Sequence, residues 1–141
     1  MDKTELIKNV GENELMKFLG VKIEVATPER VVLTMEVTSK VHQYVGIMNG
    51  GVSMYLCETA ASIGVVAGAD LTKVTPVGIE INANHLRAVS KGTITVEAKP
   101  IHTGRTMGVW GINITNDKGK LVCTARLTML IQKRVAYQSE G

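Results

Sequence analysis

One carboxylate stands alone in a long apolar run of this chain. Glu58 is the only charged residue between Lys40 and Asp70, inside the stretch HQYVGIMNGGVSMYLCETAAS that starts at His42. A polar opening, His42 and Gln43, leads into a glycine-rich turn made of Gly46, Asn49, Gly50 and Gly51. Residues 52–69 follow without a proline, rich in Ala, Val, Met and Leu. A run that is apolar almost all round is the pattern of a buried helix, here roughly 27 Å long. A carboxylate on such a helix must be paired, hydrated or put to use, because burying it alone is costly. Ser62 lies four residues after Glu58 and shares its face, with Met54 and Tyr55 one turn earlier. Where the helix begins, its first backbone N–H groups have no intrahelical acceptor. Gly50 and Gly51 leave room there for a ligand oxygen. An N–H donor at the helix start and a carboxylate further along are the parts that acyl transfer requires. The same residues have a plainer use. A glycine pair before a helix is common turn chemistry, and a buried Glu pairs readily with an Arg of a neighbouring strand.

The elements that must position these groups read as follows. Residues 4–19 form one or two short helices, with Leu6 and Val10, then Leu15, Phe18 and Leu19, at helical spacing and Gly20 as the stop. They form a helical lid packed on a sheet. Residues 21–26 and 30–38 are strands around a Thr27-Pro28 turn. In the second, Val31, Leu33, Met35 and Val37 alternate with more polar residues, as in a half-buried antiparallel strand. After the helix, residues 70–76 read as a loop and 77–88 as a strand with Ile79, Ile81, Ala83 and His85 on one face. Residues 93–102 are a strand in which Pro100 marks an edge or a bulge. Residues 102–106, HTGRT, are a basic hairpin, and 107–115 a strand whose largest side chain is Trp110. Asn116-Asp117-Lys118-Gly119 is a turn, 121–132 the last strand, and 134–141 a frayed tail. Short turns imply an antiparallel sheet. An apolar helix needs cover on most sides, so the sheet curls around it. The fold class is α+β: about six strands in a curved antiparallel sheet around one long helix.

Composition narrows the function. The chain has 141 residues, 45% of them hydrophobic and 21% charged, the balance of one soluble globular domain spanning 1–141. The polar N-terminus carries no secretory pattern, and the least polar run, 60–69, is too short and glycine-rich to span a membrane. Cys57 and Cys123 fit no metal or redox spacing and read as buried reduced thiols, which fits the cytoplasm. The net charge of +3 is spread out, so nucleic acid is not indicated, while an anionic small ligand is compatible. There is no dinucleotide fingerprint, phosphate loop, CxxC, HExxH or GxSxG.

Three motifs in order, HQxxGIxxGG with Glu58 seven residues beyond Gly51, GIEINANHLR, and HxGRT followed by VWGINITNDKGKLVCTARLTML, make the chain resemble the hotdog-fold acyl-CoA thioesterases. The similarity lies with the branch of 1,4-dihydroxy-2-naphthoyl-CoA hydrolase, the Arthrobacter-type 4-hydroxybenzoyl-CoA thioesterase and the phenylacetate-pathway enzymes. It spans roughly residues 15–133. The resemblance implies a dimer or tetramer with active sites between subunits, and no cofactor beyond the CoA of the substrate. It implies Glu58 as nucleophile or general base, the Gly50 N–H polarising the thioester carbonyl, and Gln43 positioning thioester or water, with Gly51 and Ser62 lining the same site. CoA would run past Val77, Gly78, His85 and Arg87 and the hairpin at Gly104, Arg105 and Thr106. Asn49 departs from the family, which commonly has His there. Asn donates a hydrogen bond but does not titrate near neutral pH. An acyl-CoA thioesterase is the leading expectation. A non-catalytic acyl-CoA-binding protein is the alternative, and a hotdog dehydratase lacks its local pattern here.

Overall fold

The structure, a computed structural model, describes residues 3–11 and 13–135. Two short helices lead, α1 (Lys3–Gly11) and α2 (Glu14–Leu19). The break between them has a local cause at each end of α2. Asn13 caps it, its Oδ1 accepting the Met16 N–H at 2.9 Å. Gly20 closes it in the left-handed region, φ 74°, its N–H bonding the Lys17 carbonyl. Of the apolar residues read onto α2, Leu15 and Phe18 stay exposed and Leu19 packs partly buried against the core; Met16, not among those read, is the residue fully buried. The side chains of Leu6 and Val10 lie outside the described residues.

Six strands follow the expected order: β1 (Lys22–Ala26), β2 (Val31–Glu36), β3 (Val74–His85), β4 (Thr93–Thr103), β5 (Met107–Thr115) and β6 (Leu121–Lys133). They form one antiparallel sheet in the spatial order β1-β2-β4-β5-β6-β3. Helix α3 (Gly50–Gly68) lies across it. The alternation read in β2 holds, with Val31, Leu33 and Met35 fully buried. They meet Ile94, Ile112, Ile114 and Leu127 from the same sheet face and Leu56, Cys57, Ala60 and Ala61 from α3. Each large aliphatic side chain so buried contributes about 1.5–3 kcal/mol, and the small residues on α3 bring its axis close to the sheet. By length and apolarity α3 would also pass as a membrane span, with 19 residues and a mean hydropathy of 1.2; here it is the core helix of the sheet.

Two expectations need correction, and a third is decided between its alternatives. Residues 74–76 are strand, not loop: β3 pairs with β6 from Val74↔Lys133 onward, and Pro76 is tolerated because β3 is an edge strand. The tail is ordered as far as Val135, since the Arg134 N–H bonds the Lys73 carbonyl and the Val135 N–H bonds Thr75 Oγ1; residues 136–141 lie outside the described residues. Pro100 marks a bulge, the register of β4 on β5 shifting between Pro100 and His102, and β4 is interior rather than an edge. The Asn116 turn is as read, its Oδ1 accepting the N–H groups of Lys118 and Lys120.

Candidate active site

The carboxylate of Glu58 has no hydrogen-bond or ion-pair partner among the described residues, and the residue is half-buried. The Arg partner of the plainer reading is therefore not there. Glu58 sits on a stripe of α3 with Tyr55, Thr59, Ser62, Ile63 and Val66, spaced three and four residues apart. With Ile7 of α1 and the capping residue Asn13, this stripe lines a groove of about 310 Å³. The opposite side of α3 packs on the sheet. Helix α3 is thus not enclosed all round within one chain, because the sheet covers one side and only the short α1 approaches the other. From the sheet, Gly78 of β3 touches Glu58 directly: a β-carbon at Gly78 would stand 2.7 Å from Glu58 Oε1.

The start of α3 is a second centre. Asn49 is the N-cap, its Oδ1 accepting the Gly51 N–H at 2.7 Å. That bond leaves the Asn49 carboxamide NH₂ as its free donor. The Gly50 N–H has no acceptor among the described residues. It is the bare donor of the helix terminus, while Gly51, proposed from sequence as equally open, is already satisfied by the cap. Gln43 is fixed by its own loop, with Oε1 accepting the Val45 N–H at 2.5 Å. Its amide nitrogen is therefore the end free to donate. The ring of His85 lies over Gly50, where a β-carbon would be 2.8 Å from Nε2. Gln43, Gly50, His85 and Arg87 together line a cavity of about 340 Å³. Nothing in the sequence outside the family motif pointed to the Gly50–His85 contact, which joins residues 35 positions apart in the chain.

The remaining predicted residues fall elsewhere. Gly104 and Arg105 line a third cavity at the other end of α3, and the Thr106 carbonyl accepts the Ile131 N–H at 2.9 Å. Val77 pairs with Leu130 next to Gly78. Within one chain, then, Glu58 with Ser62 and Gln43 with Gly50 occupy different cavities. Eight residues of helix separate Gly50 from Glu58, about 12 Å along the axis, too far for both to act on one carbonyl. His42 is instead hydrogen-bonded to the Ser90 carbonyl, 2.7 Å from Nε2. No three His, Cys, Asp or Glu side chains gather as a metal centre would require among the described residues.

The sequence signature of the thioesterase superfamily matches residues 45–123, more than half of the chain and the part that carries α3 with Asn49, Gly50, Glu58 and Ser62. The chain belongs to the thioesterase superfamily. This thioesterase is 40% identical over 120 residues to the 1,4-dihydroxy-2-naphthoyl-CoA hydrolase of Listeria monocytogenes, covering 85% of this chain and 97% of that one. A crystal structure of a mutant thioesterase from Pseudomonas aeruginosa is similar with a TM-score of 0.85 and 36% identity, covering 92% and 93% of the two chains. Two mutants of one Staphylococcus aureus protein, a thioesterase, are similar with a TM-score of 0.82 each, 39% and 38% identity, and 85% and 99% coverage. One of those replaces a glutamate by alanine and the other a glutamine, fifteen positions apart. The reaction of this thioesterase is hydrolysis of a thioester.

Proposed function

We propose that the thioesterase hydrolyses an aryl- or medium-chain acyl-CoA to the free acid and CoA, with each active site built from two copies of the chain. Glu58 of one copy faces Gln43 and Gly50 of the other. The observation that carries this reading is the unpartnered, half-buried carboxylate of Glu58 on an apolar helix. Gln43 and Glu58 are fifteen residues apart, the spacing of the two residues replaced in the Staphylococcus aureus protein.

The thioester oxygen takes the Gly50 N–H, where the helix terminus stabilises the charge that develops on it. Gln43, with its oxygen held by Val45, and Asn49, with its oxygen held by Gly51, each present N–H donors only. In the general-base route a water loses its proton to Glu58 while its oxygen bonds to the carbonyl carbon. The C–S bond then breaks, and the CoA sulfur leaves with the proton returned by Glu58. In the nucleophilic route Glu58 itself bonds to the carbonyl carbon, CoA leaves, and water opens the resulting anhydride. No cofactor or metal takes part in either. The acyl group fills the groove between Tyr55 and Val66, and CoA runs past Val77, Gly78, His85 and Arg87 to the hairpin at Gly104, Arg105 and Thr106.

A homodimer follows from the same reading. Strand β3 is a 12-residue edge strand, with Ile79 54% exposed beside Gly78 and Glu58. Pairing of two β3 edges would cover it and bring the two α3 helices side by side. The dimer, or a tetramer of two, works in the cytoplasm.

The test is release of thiol from a panel of acyl-CoAs, aromatic and C2 to C12, by the wild type and Glu58→Ala. Turnover on part of the panel, lost in Glu58→Ala with the oligomer intact, is the expected result. Equal turnover by the two proteins would remove Glu58 from the mechanism.

A further inference from the structure

The groove beside Glu58 has walls of two origins. One is the α3 stripe, inside the 45–123 stretch that carries the thioesterase signature; the other is Ile7 of α1 with Asn13, both outside that stretch. Ile7 is half-buried and packs against the core, whereas Thr4, Glu5, Lys8 and Asn9 of the same helix are exposed. Asn13 is anchored, since its Oδ1 caps α2 at 2.9 Å from the nitrogen of the fully buried Met16. Two helices in direct contact interlock their side chains and leave few voids. Between α1 and α3 there is instead a groove of about 310 Å³, at the small end of the range of about 300–1,000 Å³ for ligand pockets.

We propose that Ile7 is a specificity-determining residue, which limits how broad an acyl group the thioesterase accepts. The proposal rests on the acyl-CoA reading and deepens it, because the groove is the one assigned to the acyl group. With the thioester carbonyl at Glu58, the acyl group extends along the stripe toward Val66, eight residues on, about 12 Å of helix. The side chains of that stripe flank the acyl group along one side. Ile7 comes from the other helix and closes the groove opposite them, so its bulk fixes the width that remains. Its side chain is all carbon, so it selects by size and not by hydrogen bonding. An apolar wall discriminates in this way by about 10–200-fold in kcat/KM for one methylene group more or less. The division of labour follows the sequence: the signature stretch holds the reacting carboxylate, and the segment outside it sets the breadth of the substrate.

Hexanoyl-CoA and benzoyl-CoA test this, since their acyl groups are nearly equal in carbon number and differ in breadth. Thiol release gives kcat/KM for both, and the benzoyl-to-hexanoyl ratio is compared among the wild type, Ile7→Phe, Ile7→Ala and Thr4→Ala. The ratio should fall about ten-fold or more in Ile7→Phe, where the added ring narrows the groove, and rise in Ile7→Ala. Thr4→Ala, on the exposed side of α1, should keep the wild-type ratio. Melting curves identify the folded variants, and Ile7→Ala decides the matter by itself if Ile7→Phe does not fold. A ratio that stays fixed, with both substrates unchanged or slowed together, would overturn the assignment, as would a ratio that moves the opposite way. Calorimetry with hexanoate and benzoate, the released acids, should show the same change of preference on the same proteins. That change without hydrolysis of any acyl-CoA defeats the catalytic reading alone. Hydrolysis with a fixed ratio defeats this inference alone.

Discussion

Glu58 occupies the space that a side chain at Gly78 would need, its Oε1 2.7 Å from where a β-carbon there would stand. The helix supplies the carboxylate and the edge strand sets the direction in which it points. Gly78 has no left-handed backbone requirement, so alanine is conformationally allowed there. Gly78→Ala should turn the carboxylate out of line and lower kcat about ten-fold or more, since small misplacements of a reacting group are costly. Thermal melting should move by no more than a few degrees, as expected for less than about 1 kcal/mol. Thiol release and a melting curve on the same preparation decide this, and wild-type kcat in Gly78→Ala would mean that Glu58 does not need its present direction.

Glu58 and Gln43 lie in different cavities of one chain. If the working site combines them across two copies, each single variant is inactive for a different half. Mixing Glu58→Ala with Gln43→Ala subunits, after dissociation and reassembly, should then recover activity. Each mixed dimer holds one site with both wild-type groups and one with neither. Random pairing makes half of the dimers mixed, so about a quarter of wild-type turnover is expected, read by thiol release. Recovery of none would place both groups in a site within one chain, against the 12 Å or so of helix between them.

The order of strands and the place of α3 were legible because period-two alternation, turn residues and an uncharged helical run each have a local cause. Glu58 was legible for the same reason, as one charge in an apolar pattern. What was not legible depends on contacts distant in sequence. No local signal distinguishes 74–76 as strand, since only pairing with β6 makes Thr75 and Pro76 extended. The tail read as frayed is held by Lys73 and Thr75, some sixty residues away. Gly51 reads like Gly50 in the sequence, and only the cap geometry of Asn49 shows which N–H remains bare.

Asn49 combines two roles that substitution should separate. Its Oδ1 caps α3 at 2.7 Å from the Gly51 nitrogen, and its NH₂ is left to donate. Asn49→Ala removes the cap and should cost about 1 kcal/mol of stability. Asn49→Asp keeps an accepting oxygen and adds a negative charge at the helix start, worth about 0.3–1 kcal/mol in favour of the fold. The same charge stands beside the position proposed for the oxyanion, so kcat should fall about ten-fold or more. Stability and turnover should therefore move in opposite directions in Asn49→Asp. Melting curves paired with thiol release check both, and full activity in Asn49→Asp would show that residue 49 is remote from the thioester.

Cys57 is the neighbour of Glu58 in sequence but turns into the core, where it meets Cys123; both are free thiols and both are buried. Hydrogen bonding with the Cys123 thiol and then burial push the Cys57 thiol far above its ordinary value. An ordinary cysteine titrates near about 8.5 and reacts as the thiolate. A raised value keeps Cys57 protonated, and unreactive, through the range in which an exposed cysteine ionises. The native protein should therefore leave Cys57 unmodified by a thiol reagent at pH 8 and still at pH 9, whereas denatured chain should react at both cysteines. Peptide mass mapping after a timed reaction measures this. Rapid native modification of Cys57 at pH 8 would show that α3 separates from the sheet beside Glu58, and the fixed direction assigned to that carboxylate would then be lost with it.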